Sequence, residues 1–488
     1  MGDGNKQLRP TFNGSLRIEG RPERLTADAG AILLRETIDR LGLVEWLAER
    51  LQDPRNPDLI THPLSELLRT EVIRLAQGWR DQDDADHLRD DGAFRLAVSD
   101  RRGISPLEVR PREEGKELPH NPPVPDGLPS QPTLSRLHKS LSADANRAVL
   151  RDSLLEVAGR RIRTMNNEHR PRYLTLDVDS LPIEVHGHQP GSAYNGHYHA
   201  RVYHPIIATI AETGDLVDLK LRKGDAHTAE GDVEFILPLL ERMERQLCQI
   251  VSVRIDAGFP DEPLMSGLEA RRTPYVARVK NNAVLDRMAE PQLRRPVGRR
   301  TKEPRVFFHE MSYRAESWSL DRRVVLVVLE REGELFLHHF WLITSWTAEQ
   351  MSPEALLELY RERGTAEGHF GELMDVIDPA LSSSPRPKSV YAGETPIRRY
   401  PSADSFEINE VRLLLNALAY NVLHTTRVLY EVATGQGTSL RRVRERLLRI
   451  AGRILTHGGT ALLVLGLANA ELWGKVWETL ASFRVAGG

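Results

Sequence analysis

The sequence has almost no means of covalent or metal-thiolate cross-linking. One cysteine, Cys248, occurs in 488 residues, so no intrachain disulfide forms and cysteine-based zinc sites, zinc fingers among them, are excluded. Long apolar runs are missing too. None approaches the roughly 18 residues that span a bilayer, and the opening MGDGNKQLRP lacks the apolar stretch of a signal peptide. A cytoplasmic protein is expected. Net charge is also small: 66 Lys and Arg against 69 Asp and Glu leave −3, so there is no global basic field to attract a polyanion.

What is present is ordinary globular composition, 40% hydrophobic and 28% charged, long enough for two to four units at about 100–200 residues each. Basic charge is concentrated locally. Eleven Lys and Arg stand against three Asp and Glu between Ala270 and Arg305, and six Arg against one Glu from Arg441 to Arg453. Such patches are the electrostatic footprint of phosphate contact.

Apolar residues recur at helical spacing from Ala29 to about Leu96. A Pro/Gly-rich connection at 99–133 follows, and helices resume at Leu134. At Tyr173 the period changes to two, in YLTLDVDSLPIEVHG, VYHPIIATIA and LVDLKLRKG. A helix over about 230–247, a strand in VSVRIDAGF, a short helix and the strand YVARVK complete an α/β pattern of a sheet covered by helices. RVFFHEMSY, RRVVLVVLE and LFLHHFWLITSW form a second β-rich stretch. Ser352 then caps a helix with Pro353 at its first position, and from Phe406 onward the pattern is helical. The partition expected is a helical N-terminal region (1–165), an α/β core (166–290 and 341–378), a β-rich insertion (291–340) and a helical C-terminal region (379–488).

Three groups of polar residues are out of place in that pattern. Asp177 and Asp179 lie two apart, on one face of an apolar strand, where burial of a carboxylate is costly unless a cation offsets it. Asp256 ends VSVRID, at the carboxyl edge of the sheet, where ligands commonly bind. Tyr360, Arg363 and Glu367 are spaced i, i+3 and i+7, which at about 100° per residue places all three on one helix face. Carboxylates from separate elements beside a guanidinium and a phenol suit a site for Mg²⁺, or Mn²⁺, and phosphate together.

At these residues the sequence resembles the DDE transposases of bacterial insertion sequences, in the branch with a Tyr-x2-Arg-x3-Glu signature, matched by Tyr360, Arg363 and Glu367. LDVD with Asp179, RIDAGF with Asp256, QPTLSR at 131–136 and RLLLNALAYN at 412–421 extend the likeness almost end to end. The resemblance implies an α/β ribonuclease-H-like catalytic core with a β-rich insertion, flanked by helical regions of which the N-terminal one binds DNA, in a bacterial protein that is nucleoid-associated when it holds DNA. It implies that Asp179, Asp256 and Glu367 bind two divalent ions. Cleavage at terminal inverted repeats, strand transfer into target DNA and a homodimer that holds two ends together follow from it as well. Asp179 is preferred as first ligand because Ser180 follows it, with Asp177 a helper or the ligand in its place. Tyr360 and Arg363, with Arg278 and Lys280 of the basic stretch, are taken as phosphate contacts. The wider signature has a Lys seven residues after the Glu, where this sequence has Met374.

Two other readings keep the fold or the DNA but change the activity: a nuclease without strand transfer, and a domesticated DNA-binding protein without catalysis. His197-Tyr198-His199 has the outline of the metal pair of single-strand endonucleases but reads better as surface or cross-strand residues. Trp341 is expected in the core, and Trp318 is a candidate to stack on a flipped base.

Overall fold

The computed structural model describes residues 9–483 other than 14, 21, 109–126, 165–169, 187–188, 197, 296–302, 333, 335 and 383–404. Residues 109–126 of the Pro/Gly-rich connection, 296–302 of the first basic stretch, and His197 therefore lie outside the described residues.

The N-terminal region is helical as its periodicity requires: α1 (Ala31–Leu41), α2 (Leu43–Arg50), α3 (Leu64–Gln77), α4 (Asp84–His87), α5 (Gly92–Val98), α6 (Gln131–Leu141) and α7 (Asp144–Thr164). The strand β1 (Arg24–Thr26) precedes them. At the end of α3, Gly78 takes φ 90°, a left-handed conformation that glycine adopts without a Cβ penalty.

The chain then builds β2 (Tyr173–Ser180), β3 (Ile183–Glu184), β4 (Ala193–Asn195), β5 (Ala200–Tyr203), β6 (Ile206–Ile210), β7 (Leu216–Lys220), α8 (Asp232–Gln246), β8 (Gln249–Ile255), α9 (Glu262–Ala270), β9 (Tyr275–Val279) and α10 (Ala283–Ala289). Three more strands follow, β10 (Arg305–Tyr313), β11 (Arg322–Glu330) and β12 (His338–Thr344). Eight of these strands form one mixed sheet in the order β10-β11-β12-β9-β8-β2-β6-β7. β2 and β8 are parallel, as are β8 and β9, and the remaining pairs are antiparallel. The strands of the stretch expected as a β-rich insertion (291–340) extend the central sheet. Alternation marks each segment as a strand but carries no information on its partner; here β12 pairs with β9 and joins the sheets into one.

Register assigns the two faces. Val178, Ile255, Ala277 and Ile343 lie side by side across four strands, and this apolar face packs with Phe235, Leu239 and Met243 of α8 and Leu264 and Leu268 of α9. The neighbouring row, Asp177, Arg254, Val276 and Thr344, looks the other way. That side is covered by α11 (Pro353–Arg361) and α12 (Arg363–Glu372), with Leu356 and Leu357 packed on Val276, Val325, Val327 and Leu342. Ser352 accepts a hydrogen bond from the Ala355 N–H at 3.3 Å and so caps α11. A π-helical turn over Leu373–Ile377 continues α12.

α13 (Ser405–Thr434) is buried on most of its circumference, as a helix apolar all round must be, and joins a core shared with α1, α3, α6, α7 and β7. Its Asn421 carboxamide accepts from the Leu216 N–H (3.1 Å) and donates to the Leu216 carbonyl (2.7 Å) on the last strand of the sheet. The C-terminal region is not all helix. After α14 (Leu440–Val443) the chain forms a hairpin of β13 (Gly452–His457) and β14 (Thr460–Leu465), then α15 (Leu467–Ser482). Gly458 and Gly459, both at positive φ, make the tight turn that this Gly-Gly pair specifies. β13 also pairs with β1, so the two ends of the chain share a small sheet. Among the described residues no helix is long and apolar enough to cross a membrane.

Candidate active site

Asp179 points from the next-to-last position of β2 toward the helix-covered side, Asp256 follows directly on β8, and Glu367 comes from α12. All three meet one guanidinium. Arg363 reaches the Asp179 carboxylate at 2.8 Å, Glu367 at 2.5 Å and Asp256 at 3.6 Å. Asp179 is 19% exposed, Asp256 42% and Glu367 55%, with Arg363 14%. The site is therefore open on the side of Asp256 and Glu367 and enclosed at Asp179. Burial pushes the Asp179 carboxyl above its ordinary value; Arg363 opposes this, and the nearby Asp256 charge adds to it. For Arg363, burial works against the charge, but Asp179, Tyr360, Asp256 and Glu367 together outweigh it and raise its pKa.

Tyr360 and Arg363 fall on either side of a one-residue break at Glu362, yet the guanidinium still lies 5.9 Å from the Tyr360 ring centre. The expected helix face is thus kept across the junction. Arg278, exposed on β9, lies over the Phe340 ring at 5.3 Å, near enough to Tyr360 to act on its phenol electrostatically. Lys280 is exposed just beyond the same strand.

Asp177 is not at this cluster. Its two carboxylate oxygens accept from Nε and Nη2 of Arg254, both at 2.6 Å, with the two side chains 2% and 1% exposed. The cation that a carboxylate pair in an apolar strand requires is therefore supplied for Asp177 by the protein, from the residue directly opposite on β8. Arg254 also donates to the Leu359 carbonyl (2.9 Å) and to Glu362 (3.0 Å), which ties the strand before Asp256 to the junction before Glu367. Sequence reasoning missed this residue, since only strand register pairs it with Asp177. Tyr198, part of the His-Tyr-His run, stands within electrostatic reach of Asp179 and Asp256. Met374 packs against the hydrophobic core, where the π-helical turn changes the phase of the helix, so this position offers no phosphate contact. Trp318 is buried edge-on against Tyr313 with Arg322 over its ring, which corrects its reading as a free stacking residue. Trp341 is buried in the core, as expected.

A family model described as transposase DDE domain group 1 matches residues 8–377, a span that includes all three acids. The chain belongs to this family. It is a DDE-type DNA transposase, a phosphoryl-transfer enzyme, with a large mixed sheet in an α/β fold. Among solved structures, the transposase is similar to a piggyBac transposase in a synaptic complex with hairpin DNA, at 10% identity over 86% of this chain and 79% of that one, with a TM-score of 0.41. No curated protein matches it.

The family's use of divalent metal can be compared with the residues present. Among the described residues no three His, Cys, Asp or Glu side chains enclose a metal-sized space as they stand. The donor set nevertheless fits such an ion: three carboxylates, hard oxygen ligands, converge on a single positive centre, the Arg363 guanidinium.

Proposed function

We propose that this transposase cuts DNA at terminal inverted repeats and joins the freed ends to target DNA, with Asp179, Asp256 and Glu367 as its metal-binding carboxylates. The observation that carries the reading is the meeting of these three acids, from a central strand, a strand end and a helix, at Arg363. The strand order β7-β6-β2-β8-β9, with the first three antiparallel and the last two parallel to β2, supports a ribonuclease-H-like core. The carboxylates would hold Mg²⁺ or Mn²⁺, two ions per site, which when bound stabilise the attacking and leaving oxygens of an in-line displacement. Arg363, released from its carboxylates, and Tyr360 orient the scissile phosphate, while Arg278 and Lys280 hold the strand at the rim. The partly buried Asp179 excludes water from one side of the site and leaves Asp256 and Glu367 facing the DNA. Two such sites in a homodimer would hold the paired ends in the bacterial cytoplasm.

Asp256→Asn provides the test, because it keeps the shape and removes the charge. The variant should bind an inverted-repeat duplex as the parent does and lose at least a hundredfold in Mg²⁺-dependent cleavage and end joining. Undiminished cleavage overturns the assignment. Cleavage by the parent without joined products would favour a nuclease.

A further inference from the structure

The second basic concentration, Arg441 to Arg453, lies away from the carboxylates. In α14 and the π-helical turn after it, Arg444–Leu448, the apolar side chains Leu440, Val443, Leu447 and Leu448 are buried. Arg441, Arg442, Arg446 and Arg449 are exposed on the other side. The side chains of Arg441, Arg442 and Arg446 make no ion pair or hydrogen bond to any described residue.

Behind them Arg444 is wedged into the space that Gly78 leaves: a Cβ there would stand 2.8 Å from its Nη1. Arg444 donates to the Ala76 carbonyl (3.0 Å) and the Val376 carbonyl (2.6 Å), and its buried Nη2 has no hydrogen-bond partner. Burial, and then the like charges of Arg449, Arg80 and Arg441, push this guanidinium down to about 10. Arg449 is held by the Gln77 carbonyl (2.8 Å) and lies over the Trp79 ring. Backbone carbonyls thus keep the Arg444 and Arg449 guanidinia close together, although Asp28 acts on Arg449, Arg80 is offset by Asp378 and Glu445 is the one acid within the segment. Like charges held together in this way cost free energy that a bound polyanion relieves.

We propose that the face formed by Arg441, Arg442, Arg446 and Arg449 binds the phosphate backbone of duplex DNA, an inference that rests on the transposase reading and adds a surface outside the catalytic cluster. A protein partner fits less well, because a protein interface needs apolar side chains at its centre and every apolar side chain from Leu440 to Ile450 is buried. Planar guanidinium forks match phosphate. The surface is also near enough to serve the same duplex: Val376, which accepts from Arg444, is nine residues beyond Glu367 on one continuous helical segment. At about 1.5 Å per residue that is roughly 14 Å along the axis, or about four base pairs at about 3.4 Å each.

The full-length triple variant R441A/R442A/R446A, its lysine counterpart R441K/R442K/R446K and the parent would be titrated with a labelled random-sequence duplex between about 50 and 200 mM salt. The parent and lysine triple should share one log–log salt slope. The alanine triple should lose tenfold or more in affinity at low salt and flatten the slope by about 0.9 per contact removed, up to about 2.7 for three, with unchanged melting temperature. A slope equal to the parent's overturns the proposal, and if the sedimentation mass changes instead, the face takes a protein partner. Failure of the catalytic reading is separate: it would appear as undiminished cleavage by Asp256→Asn, whatever the salt slope.

Discussion

Arg254 shows how one residue can have more effect than its place in the sequence suggests. It lies within a strand, fully buried, with a bidentate pair to Asp177 on one side and two contacts to the α11–α12 junction on the other. Arg254→Met would leave the Asp177 carboxylate buried without its cation, a loss of about 3–5 kcal/mol when a buried pair is broken. Urea unfolding should show it, and a loss below about 1 kcal/mol would mean the pair contributes little. Asp256 and Glu367 were legible from sequence because a strand end and a helix face place them without knowledge of other strands. Asp179 was preferred to Asp177 only on the strength of the Ser180 that follows it; the physical difference between them lies in strand register, which pairs Asp177 with Arg254 and leaves Asp179 to Arg363.

At the scale of elements, the N-terminus of α8 carries a pH dependence. Asp232 is buried there, its Oδ2 has no hydrogen-bond partner, and burial, followed by the Asp261 charge, pushes its carboxyl up to about 7. The fold therefore favours the neutral acid. This contribution is fully present below the unfolded value near 3.8 and is lost as pH rises through about 7. Asp232→Asn, always neutral, should melt with the parent near pH 4 and several degrees above it at about pH 8. The upper limit is about 4 kcal/mol at 1.36 per pK unit. A constant difference across that range would show that the group is ionised in the fold at all pH. Most elements were readable from periodicity, and β10 and β11 match the expected stretches residue for residue. The β13–β14 hairpin was lost in an otherwise helical reading although Gly458-Gly459 announces it, because the helical pattern on either side obscured a short alternation.

For the whole molecule, segments from different parts of the sequence interlock. β1 pairs with β13, α7 contributes Leu155, Ala158 and Ile162 to the core beneath the sheet, and α13 packs on helices of the N-terminal region and on β7. Sequence order cannot reveal such contacts, and those of β1 with β13 and of α13 with the N-terminal helices join segments hundreds of residues apart. A chain ended at residue 404, before α13, would expose apolar side chains that α13 covers, such as Leu67, Leu68 and Val72 of α3 and Leu216 of β7. It should be recovered as aggregate rather than as a soluble core. A monodisperse, folded product by gel filtration and circular dichroism would show that the catalytic part stands alone.

The two borders of the long sheet are unlike. Along β7 the unpaired backbone of Leu216 is taken up by Asn421, so another chain finds no template there. Along β10 the nine-residue edge has no strand beyond it among the described residues. Arg305, His309 and Glu310 interrupt its apolar side chains with charge or polarity, the usual protection against edge-to-edge stacking. Of these two borders only the β10 one offers an open template, and any association through it would depend on salt and acidity through those few side chains rather than through the net charge of the chain.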